Sequence, residues 1–476
     1  MKLFKAFDDT NPLITQHYGA DPYALEYNGR VYFYMTADKY EYDKTGNIKE
    51  NTYSEICSIY VISTDDMVNF TEHGEIKVAG KDGIAKWARN SWAPAAAWKM
   101  IDGKPKFFLY FADNGGGIGV ITADSPIGPF EDPLGHGLIR RDMENCGNVE
   151  WLFDPAVLVD DDGCGYIYFG GGVPEGRNAN PATARVARLG EDMISLSMIP
   201  QTIEPPYLFE DSGIHKFGGK YYYTYCSNFS VDEEGTKKYG MRNGEICCME
   251  SDNPLGPFVY KEMILENPEK YCGLGGNNHH HVFSFNGRWY ITYHSRSLEK
   301  AKGVERGYRI INIEEIQIKD DGSIGVIPQT YKGRHSLKNI DPFAQNRTSN
   351  TSQIVGVSFA PADSTAERTG CGNMLLSGFE DDNLVQFSGI DFKGRKPETF
   401  VVRGINESAK TAEIKVFIDN PDEKCICTLM MEQGKEMSDA GAPVDTAVFE
   451  NDFSLHNLFI TVSNGDKLKI ENWQFR

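Results

Sequence analysis

Three acidic side chains open short apolar runs: Asp21 in Gly-Ala-Asp-Pro, Asp154 in Phe-Asp-Pro-Ala-Val and Glu210 in Phe-Glu-Asp-Ser-Gly. Carboxyls gathered in one place can do acid–base work. Cleaving a glycosidic bond needs one carboxylic acid to protonate the leaving oxygen and one carboxylate to activate water or attack carbon. Crowding like charges raises the pKa of one member and keeps it protonated near neutral pH. Asp21 and Asp154 each precede a proline, which favours an extended backbone there. A lone Asp-Pro is an ordinary turn dipeptide; two at matching places ahead of aromatic hairpins are more than that. Glu210 is followed by Asp211, and register against the other runs favours Glu210.

The elements that would gather these acids are strands. The runs RVYFYMTAD, KFFLYFADN, GYIYFGG, KYYYTYCSN and RWYITYHSR are short, rich in aromatic and β-branched residues, and bounded by turn signals. Each belongs to a similar unit: a strand, a turn carrying glycine, then the aromatic strand. The units start near Asp21, Trp92, Asp154, Glu210 and His279. A second echo is SPIGPF at Ser125–Phe130 and NPLGPF at Asn253–Phe258. Self-similar units of this kind predict a β-propeller with five blades. The first strand of each blade lines the central channel, so the five named residues are expected around one funnel. Asp160–Gly163 reads as a tight hairpin turn, since it lacks the ligand spacing of an EF-hand.

Trp92 could floor a sugar site or fill a core. Arg296, after the fifth hairpin, could contact Asp154 or a sugar hydroxyl. Asn228 holds the corresponding place in the fourth unit.

With these motifs in order, the chain resembles glycoside hydrolase family 43. The resemblance is carried by Ala20–Pro22, Ser91–Pro94, Phe153–Val157, Phe209–Phe217 and Gly275–Phe283, and spans roughly residues 8 to 330. It implies hydrolysis of α-L-arabinofuranosides or β-xylosides with inversion. Asp21 would be the general base, Glu210 the general acid and Asp154 the residue that raises the acid's pKa. Inversion predicts acid and base carboxyls about 6.5–9.5 Å apart. The resemblance also implies a metal ion, often calcium, beside His279 on the propeller axis.

The repeat is expected to end near Ile327, giving a catalytic domain over 1–330. From about Asn339 short strands resume without the aromatic repeat, which predicts a β-sandwich over 339–476. This region resembles carbohydrate-binding module family 6, a jelly-roll-like fold. Arg347, Thr348 and Ser349 replace its usual acidic segment, and Asn472-Trp473 its usual Asp-Trp ending. The fold class is therefore expected to be all-β throughout.

The formal net charge of -20 argues against nucleic acid and anionic membrane partners. The first residues, MKLFKAFDDTNPLITQ, carry no apolar signal region, and no apolar run approaches the length of a membrane span. The ten cysteines form no CxxC pair and read as reduced thiols. A cytoplasmic enzyme is expected, acting on pentose-containing oligosaccharides derived from hemicellulose. The leading expectation is removal of terminal α-L-arabinofuranosyl residues from arabinoxylan fragments. The alternatives are a β-xylosidase and a non-catalytic, glycan-binding propeller. A fructosidase is disfavoured, because its Arg-Asp-Pro and Glu-Cys pairs appear here as Phe153-Asp154-Pro155 and Glu210-Asp211.

Overall fold

The computed structural model describes residues 3–476 and is all-β, with a few short helices. It divides into two compact units. One comprises Tyr18–Val61 and Glu75–Gly333; the other comprises the N-terminal residues through His17, Ile62–Gly74 and Arg334–Arg476. Among the described residues no helix is long and apolar enough to cross a membrane.

The larger unit is built from antiparallel sheets that succeed one another along the chain. The first has the order β1 (Ala20–Tyr27), β2 (Arg30–Thr36), β3 (Ser58–Thr64), β4 (Phe70–Lys77), its outer hairpin running into the segment grouped with the other unit. The second is β5 (Trp92–Ile101), β6 (Lys104–Ala112), β7 (Gly117–Ala123), β8 (Ile139–Arg140). The third is β9 (Ala156–Val159), β10 (Gly165–Phe169), β11 (Ala184–Arg188), β12 (Gln201–Ile203). The fourth is β13 (Leu208–Phe217), β14 (Lys220–Ser227), β15 (Ile246–Ser251), β16 (Val259–Leu265). The last is β17 (His280–Phe285), β18 (Arg288–Ser295), β19 (Ile310–Ile316). The first strands touch in sequence: β1 meets β5, β5 meets β9, β9 meets β13, β13 meets β17, and β17 returns to β1.

Local chemistry explains the hairpins. Asn28-Gly29, Asp102-Gly103 and Asn286-Gly287 all have positive φ at both positions. That conformation matches the twist of the flanking strands and suits Asn-Gly and Asp-Gly pairs. In the third sheet the turn at Asp160–Gly163 closes through a Gly163 N–H donated to the Asp160 carbonyl at 2.8 Å. The echoed proline loops share a function too. The Tyr34 hydroxyl donates to the Pro126 carbonyl and the Tyr168 hydroxyl to the Pro254 carbonyl, each at 2.6 Å. A tyrosine of one sheet's second strand thus fastens the loop of the following sheet.

The other unit holds two antiparallel sheets. One orders Ser358–Pro361, Met374–Ser377, Leu468–Phe475, Thr399–Asn406 and Ser438–Pro443; the other orders Gln353–Val355, Leu384–Asp391, Leu455–Ser463, Ala412–Ile418 and Cys427–Met431. Alternate residues of both sheets meet in one apolar core that includes Ile354, Val385, Phe387, Phe400, Val402, Val416 and Trp473. Trp473 is 1% exposed and lies against Phe387 and Phe400, with ring centroids 5.2 and 6.1 Å away. The N-terminal segment belongs here for a physical reason. Leu3, Phe4 and Phe7 cover a second apolar patch formed by Val355, Leu384, Phe417 and Phe459. The boundary expected from the linear sequence put residues 1–330 together; burial of these three side chains instead groups the N-terminus with Arg334–Arg476.

Candidate functional site

One cavity of about 400 Å³ is lined by Asp21, Asp154, Glu210, His279 and Trp92 together with Tyr53, Asn114, Gly115, Trp151, Phe153, Phe209, Asn277 and Arg309. The residues expected at five strand openings thus meet, although they are scattered over more than half of the chain. Asn228 and Arg296 do not line this cavity.

The backbone explains how the acids are presented. Asp21, Ala93, Asp154 and Asp211 all have positive φ, at 48°, 37°, 49° and 68°. In β1, β5 and β13 the strand pairing shifts by one residue at this place, between Ala20 and Tyr23, Trp92 and Ala95, and Glu210 and Gly213. These are bulges, each with one extra residue. They correct the expected register. Asp211 and Ala93, not Glu210 and Trp92, are the counterparts of Asp21 and Asp154. Glu210 and Trp92 stand one residue earlier, level with Ala20 and Phe153. Pro22, Pro94 and Pro155 follow Asp21, Ala93 and Asp154, so alignment on the proline recovers this register in three of the units.

Asp21 is buried and makes its contacts through Oδ1. Arg309 Nη1 donates to it at 2.8 Å, and His294 Nδ1 lies 3.1 Å away. Burial opposes the Asp21 charge, but the Arg309 guanidinium, followed by His294 and His279, holds its carboxyl well below the usual range. Arg309 is itself shared: Nε and Nη2 donate to Asp38 Oδ2 and Oδ1 at 3.0 and 2.8 Å. Its guanidinium lies over the Tyr53 ring, 4.8 Å from the centroid.

Glu210 is held in the opposite state. Burial, and then the charges of Asp21 and Asp211, push its carboxyl up to about 8, against the pull of Arg309 and the Asn277 amide. Its Oε1 is buried without a hydrogen-bond partner. Burial and the charge of Glu210 also raise Asp154 well above the usual range. Asp154 Oδ2 accepts the Asp211 N–H at 3.0 Å.

The run of three histidines separates into three roles. His279 lines the cavity; its Nδ1 is 3.7 Å from Asp21 Oδ1 and 3.8 Å from Asp154 Oδ2, and its Nε2 is 3.1 Å from Asp211 Oδ1. Burial pushes His279 towards its neutral form, against the attraction of Asp211 and Asp21. His280 joins Asp211 Oδ2 at 2.5 Å to Thr224 Oγ1 at 2.7 Å. His281 accepts the Ala24 N–H and stacks on Tyr23, with centroids 3.8 Å apart.

Two expected contacts are corrected. Arg296 does not reach Asp154: its Nε binds Glu299 Oε1 and its Nη1 donates to the Gly275 carbonyl at 3.0 Å. A short helix at Ser297–Lys302 brings Glu299 within reach. Asn228 braces a loop, donating to the Asn178 carbonyl at 2.8 Å and accepting the Ser230 N–H at 2.9 Å. Trp92 forms part of the wall, with Nε1 donating to the Tyr53 carbonyl at 2.9 Å. Sequence reasoning missed Arg309, Asp38 and the buried role of Asp211. Asp38 comes after the first hairpin much as Asn228 and Arg296 come after theirs, so that pattern, applied to every unit, points to it. Arg309 stands one residue ahead of β19 and carries no signal beyond that.

The glycosyl hydrolases family 43 profile matches residues 9–324. The chain belongs to glycoside hydrolase family 43. An arabinoxylan arabinofuranohydrolase of Paenibacillus polymyxa is 42% identical, over 99% of this chain and 75% of the relative. The crystal structure of a family 43 arabinoxylan arabinofuranohydrolase from Bacillus subtilis, in complex with cellotetraose, superposes with a TM-score of 0.90 at 40% identity, covering 99% of this chain and 98% of that one. A family 43 β-xylosidase/α-arabinofuranosidase from a compost microbial metagenome, solved with xylotriose in a calcium-free form, matches with a TM-score of 0.51 at 28% identity, over 69% and 98% of the two chains. The glycosidase assignment made from the acids therefore holds at the level of the family.

Proposed function

We propose that this enzyme is an inverting, exo-acting α-L-arabinofuranosidase that removes terminal arabinofuranosyl groups from arabinoxylan-derived oligosaccharides. The observation that carries this reading is the opposite electrostatic setting of two carboxyls in one cavity. Asp21 is held charged by Arg309, while burial and like charges hold a proton on Glu210 near neutral pH. Asp21 is the general base: it takes a proton from water as that water attacks the anomeric carbon. Glu210 is the general acid: it donates its proton to the departing glycosidic oxygen. Asp21 and Asp211 supply the negative charge that, with burial, keeps Glu210 protonated between turnovers, while Asp154 braces the site by accepting the Asp211 N–H. Tyr53, Trp92, Trp151, Phe153 and Phe209 give the cavity an aromatic wall suited to sugar faces.

The sheets are read as five blades of a propeller, supported by the return of β17 to β1. The second unit is read as a carbohydrate-binding-module-like domain, supported by its two-sheet core. A calcium ion beside His279 is suggested by the calcium-free form named for one relative. Calcium requires six to eight oxygen ligands. Here the nearest carboxylates already serve Arg309 and the Asp211 N–H, and among the described residues no three His, Cys, Asp or Glu side chains gather to hold a metal. The site offers the His279 imidazole without a protein oxygen cage, so an ion here would be held mainly through water, as a loose electrostatic contact.

The name of the compost relative favours β-xylosidase as the second reading. Comparing hydrolysis of nitrophenyl α-L-arabinofuranoside and β-D-xyloside separates the two, and NMR of the first-released anomer tests inversion. Retention of configuration refutes the assigned mechanism. Absence of turnover on every pentoside supports a glycan-binding role instead.

A further inference from the structure

We propose that Asp38 is a positioning residue for the general base, acting through Arg309; this rests on the reading of Asp21 as that base. The geometry is a divided guanidinium. Asp38 takes the Nε–Nη2 edge, with Nε at 3.0 Å from Oδ2 and Nη2 at 2.8 Å from Oδ1, and its Oδ2 also accepts the Arg309 backbone N–H at 3.0 Å. A planar fork gripped along one edge has a fixed direction for its remaining nitrogen. That nitrogen, Nη1, donates to Asp21 Oδ1 at 2.8 Å. The Tyr53 ring covers the guanidinium face at 4.8 Å and limits rotation out of this plane. The Asp38 side chain is fully buried, and those of Arg309 and Asp21 are each 6% exposed, so water does not substitute for the missing partner if one is removed.

The arrangement does two things for Asp21. It fixes Oδ1, leaving Oδ2 without a hydrogen-bond partner among the described residues and available to a water molecule. It also divides one positive charge between two carboxylates. An arginine devoted wholly to Asp21 would pull its charge into a closed pair and weaken it as a base. With Asp38 holding two side-chain bonds and Asp21 one, Asp21 stays ionised without being sequestered. Asp38 does not line the cavity, so its effect passes through Arg309 alone.

The test is steady-state kinetics of Asp38→Asn with two aryl α-L-arabinofuranosides, one bearing a good leaving group (2,4-dinitrophenyl) and one a poor one (4-methoxyphenyl). A base defect slows both, whereas an acid defect spares the good leaving group. The expected result is a fall in kcat of about ten- to hundredfold on both substrates, the scale of one lost charge-assisted hydrogen bond, with KM changed less than about twofold. A purely structural role would lower the melting temperature and leave kcat of the folded fraction intact, and that result overturns the proposal. If Asp38→Asn does not fold, Arg309→Lys is measured instead. Lysine keeps the charge but cannot serve both carboxylates in one plane, so kcat falls on both substrates; wild-type kcat refutes the proposal. Asp21→Asn is run alongside. If it retains turnover, the base reading fails and this proposal with it. If it is inactive while Asp38→Asn matches wild type, this proposal alone fails.

Discussion

Replacing Asp211 with asparagine should move the alkaline limb of the pH–activity profile without lowering its plateau. Glu210 must carry a proton to act as the acid. Burial comes first among the causes that raise it from 4.5 to about 8, and the charges of Asp21 and Asp211 come next. At pH 7 a carboxyl at 4.5 is protonated in about one molecule in 300, whereas one at 8 is protonated in about nine of ten. The setting of this one group therefore raises the competent population about 300-fold at neutral pH.

Asp211 is fully buried, and its backbone N–H to Asp154 survives the substitution, as does an acceptor oxygen for His280. What is lost is one negative charge. Removing a contact-range charge changes a carboxyl's pKa by about 1 to 3 pH units. The wild-type kcat/KM on an aryl arabinofuranoside should be flat up to about pH 7 and fall through about pH 8. In Asp211→Asn the fall should begin at least about one pH unit lower, so that activity at pH 8 drops about fivefold or more while activity at pH 5 is retained. The assay is kcat/KM from pH 4 to 10 with melting temperature measured in the same buffers. An unmoved limb in a folded variant refutes the assigned role of Asp211. A wild-type profile that already falls at pH 5 refutes the protonated Glu210 itself.

Four further outcomes are expected. Asp21→Asn should lower kcat by about 10²- to 10⁴-fold on substrates of every leaving group, the usual contribution of a positioned general base. Trp92→Ala should raise KM about five- to tenfold in initial-rate measurements, through loss of one aromatic wall of the cavity. Asn228→Ala should leave KM unchanged and lower stability by about 1–3 kcal/mol in chemical denaturation, because it strands the Asn178 and Ser230 backbone groups. Trp473→Ala should cost about 3–5 kcal/mol in the two-sheet unit, read by calorimetry, because it empties the centre of that core.

The site was legible in the sequence wherever a residue type repeated with its turn. Asp21 and Asp154 are flagged by Asp-Pro ahead of an aromatic hairpin, and the pairing of β1 with β2 and of β9 with β10 agrees with that pattern. The register at Trp92 is marked by a proline, Ala93-Pro94 beside Asp21-Pro22, whereas Glu210-Asp211-Ser212 lacks that proline and its register shows only in the strand pairing. Arg309 and Asp38 were hidden for another reason. Their meaning lies in a contact between residues 271 positions apart; Asp38 holds a recurring place after its hairpin, but Arg309, the residue it binds, stands in no repeat. Arg296 and Asn228 misled because the place after a hairpin is shared, while the side chain's partner is set by the next stretch of chain: a helix carrying Glu299 in one case, a loop in the other. The N-terminal segment was placed with the wrong unit because the apolar patch that buries Phe7 is assembled only from strands far along the chain.

Irregular backbone at the strand openings also accounts for how so many functional groups fit around one small cavity. Along a regular strand, neighbouring side chains point to opposite faces, so each inner strand could offer the cavity only one residue near its opening. Here the cavity is lined by Phe153 and Asp154 from one strand opening and by Phe209 and Glu210 from another, consecutive residues in both cases. The positive φ at Asp154 and Asp211 turns the chain at these openings, at a cost of about 1–3 kcal/mol for each non-glycine residue in that conformation. That strain sets an aromatic side chain, Phe153 or Phe209, beside Asp154 and Glu210 on the cavity wall. Aspartate tolerates the left-handed region better than most residues, and that preference is met at Asp21, Asp154 and Asp211. One residue type can therefore serve the backbone and the chemistry together. Replacing Asp154 with asparagine keeps the turn and an acceptor for the Asp211 N–H, whereas leucine at this place loses both, so calorimetry should find the asparagine variant the more stable of the two.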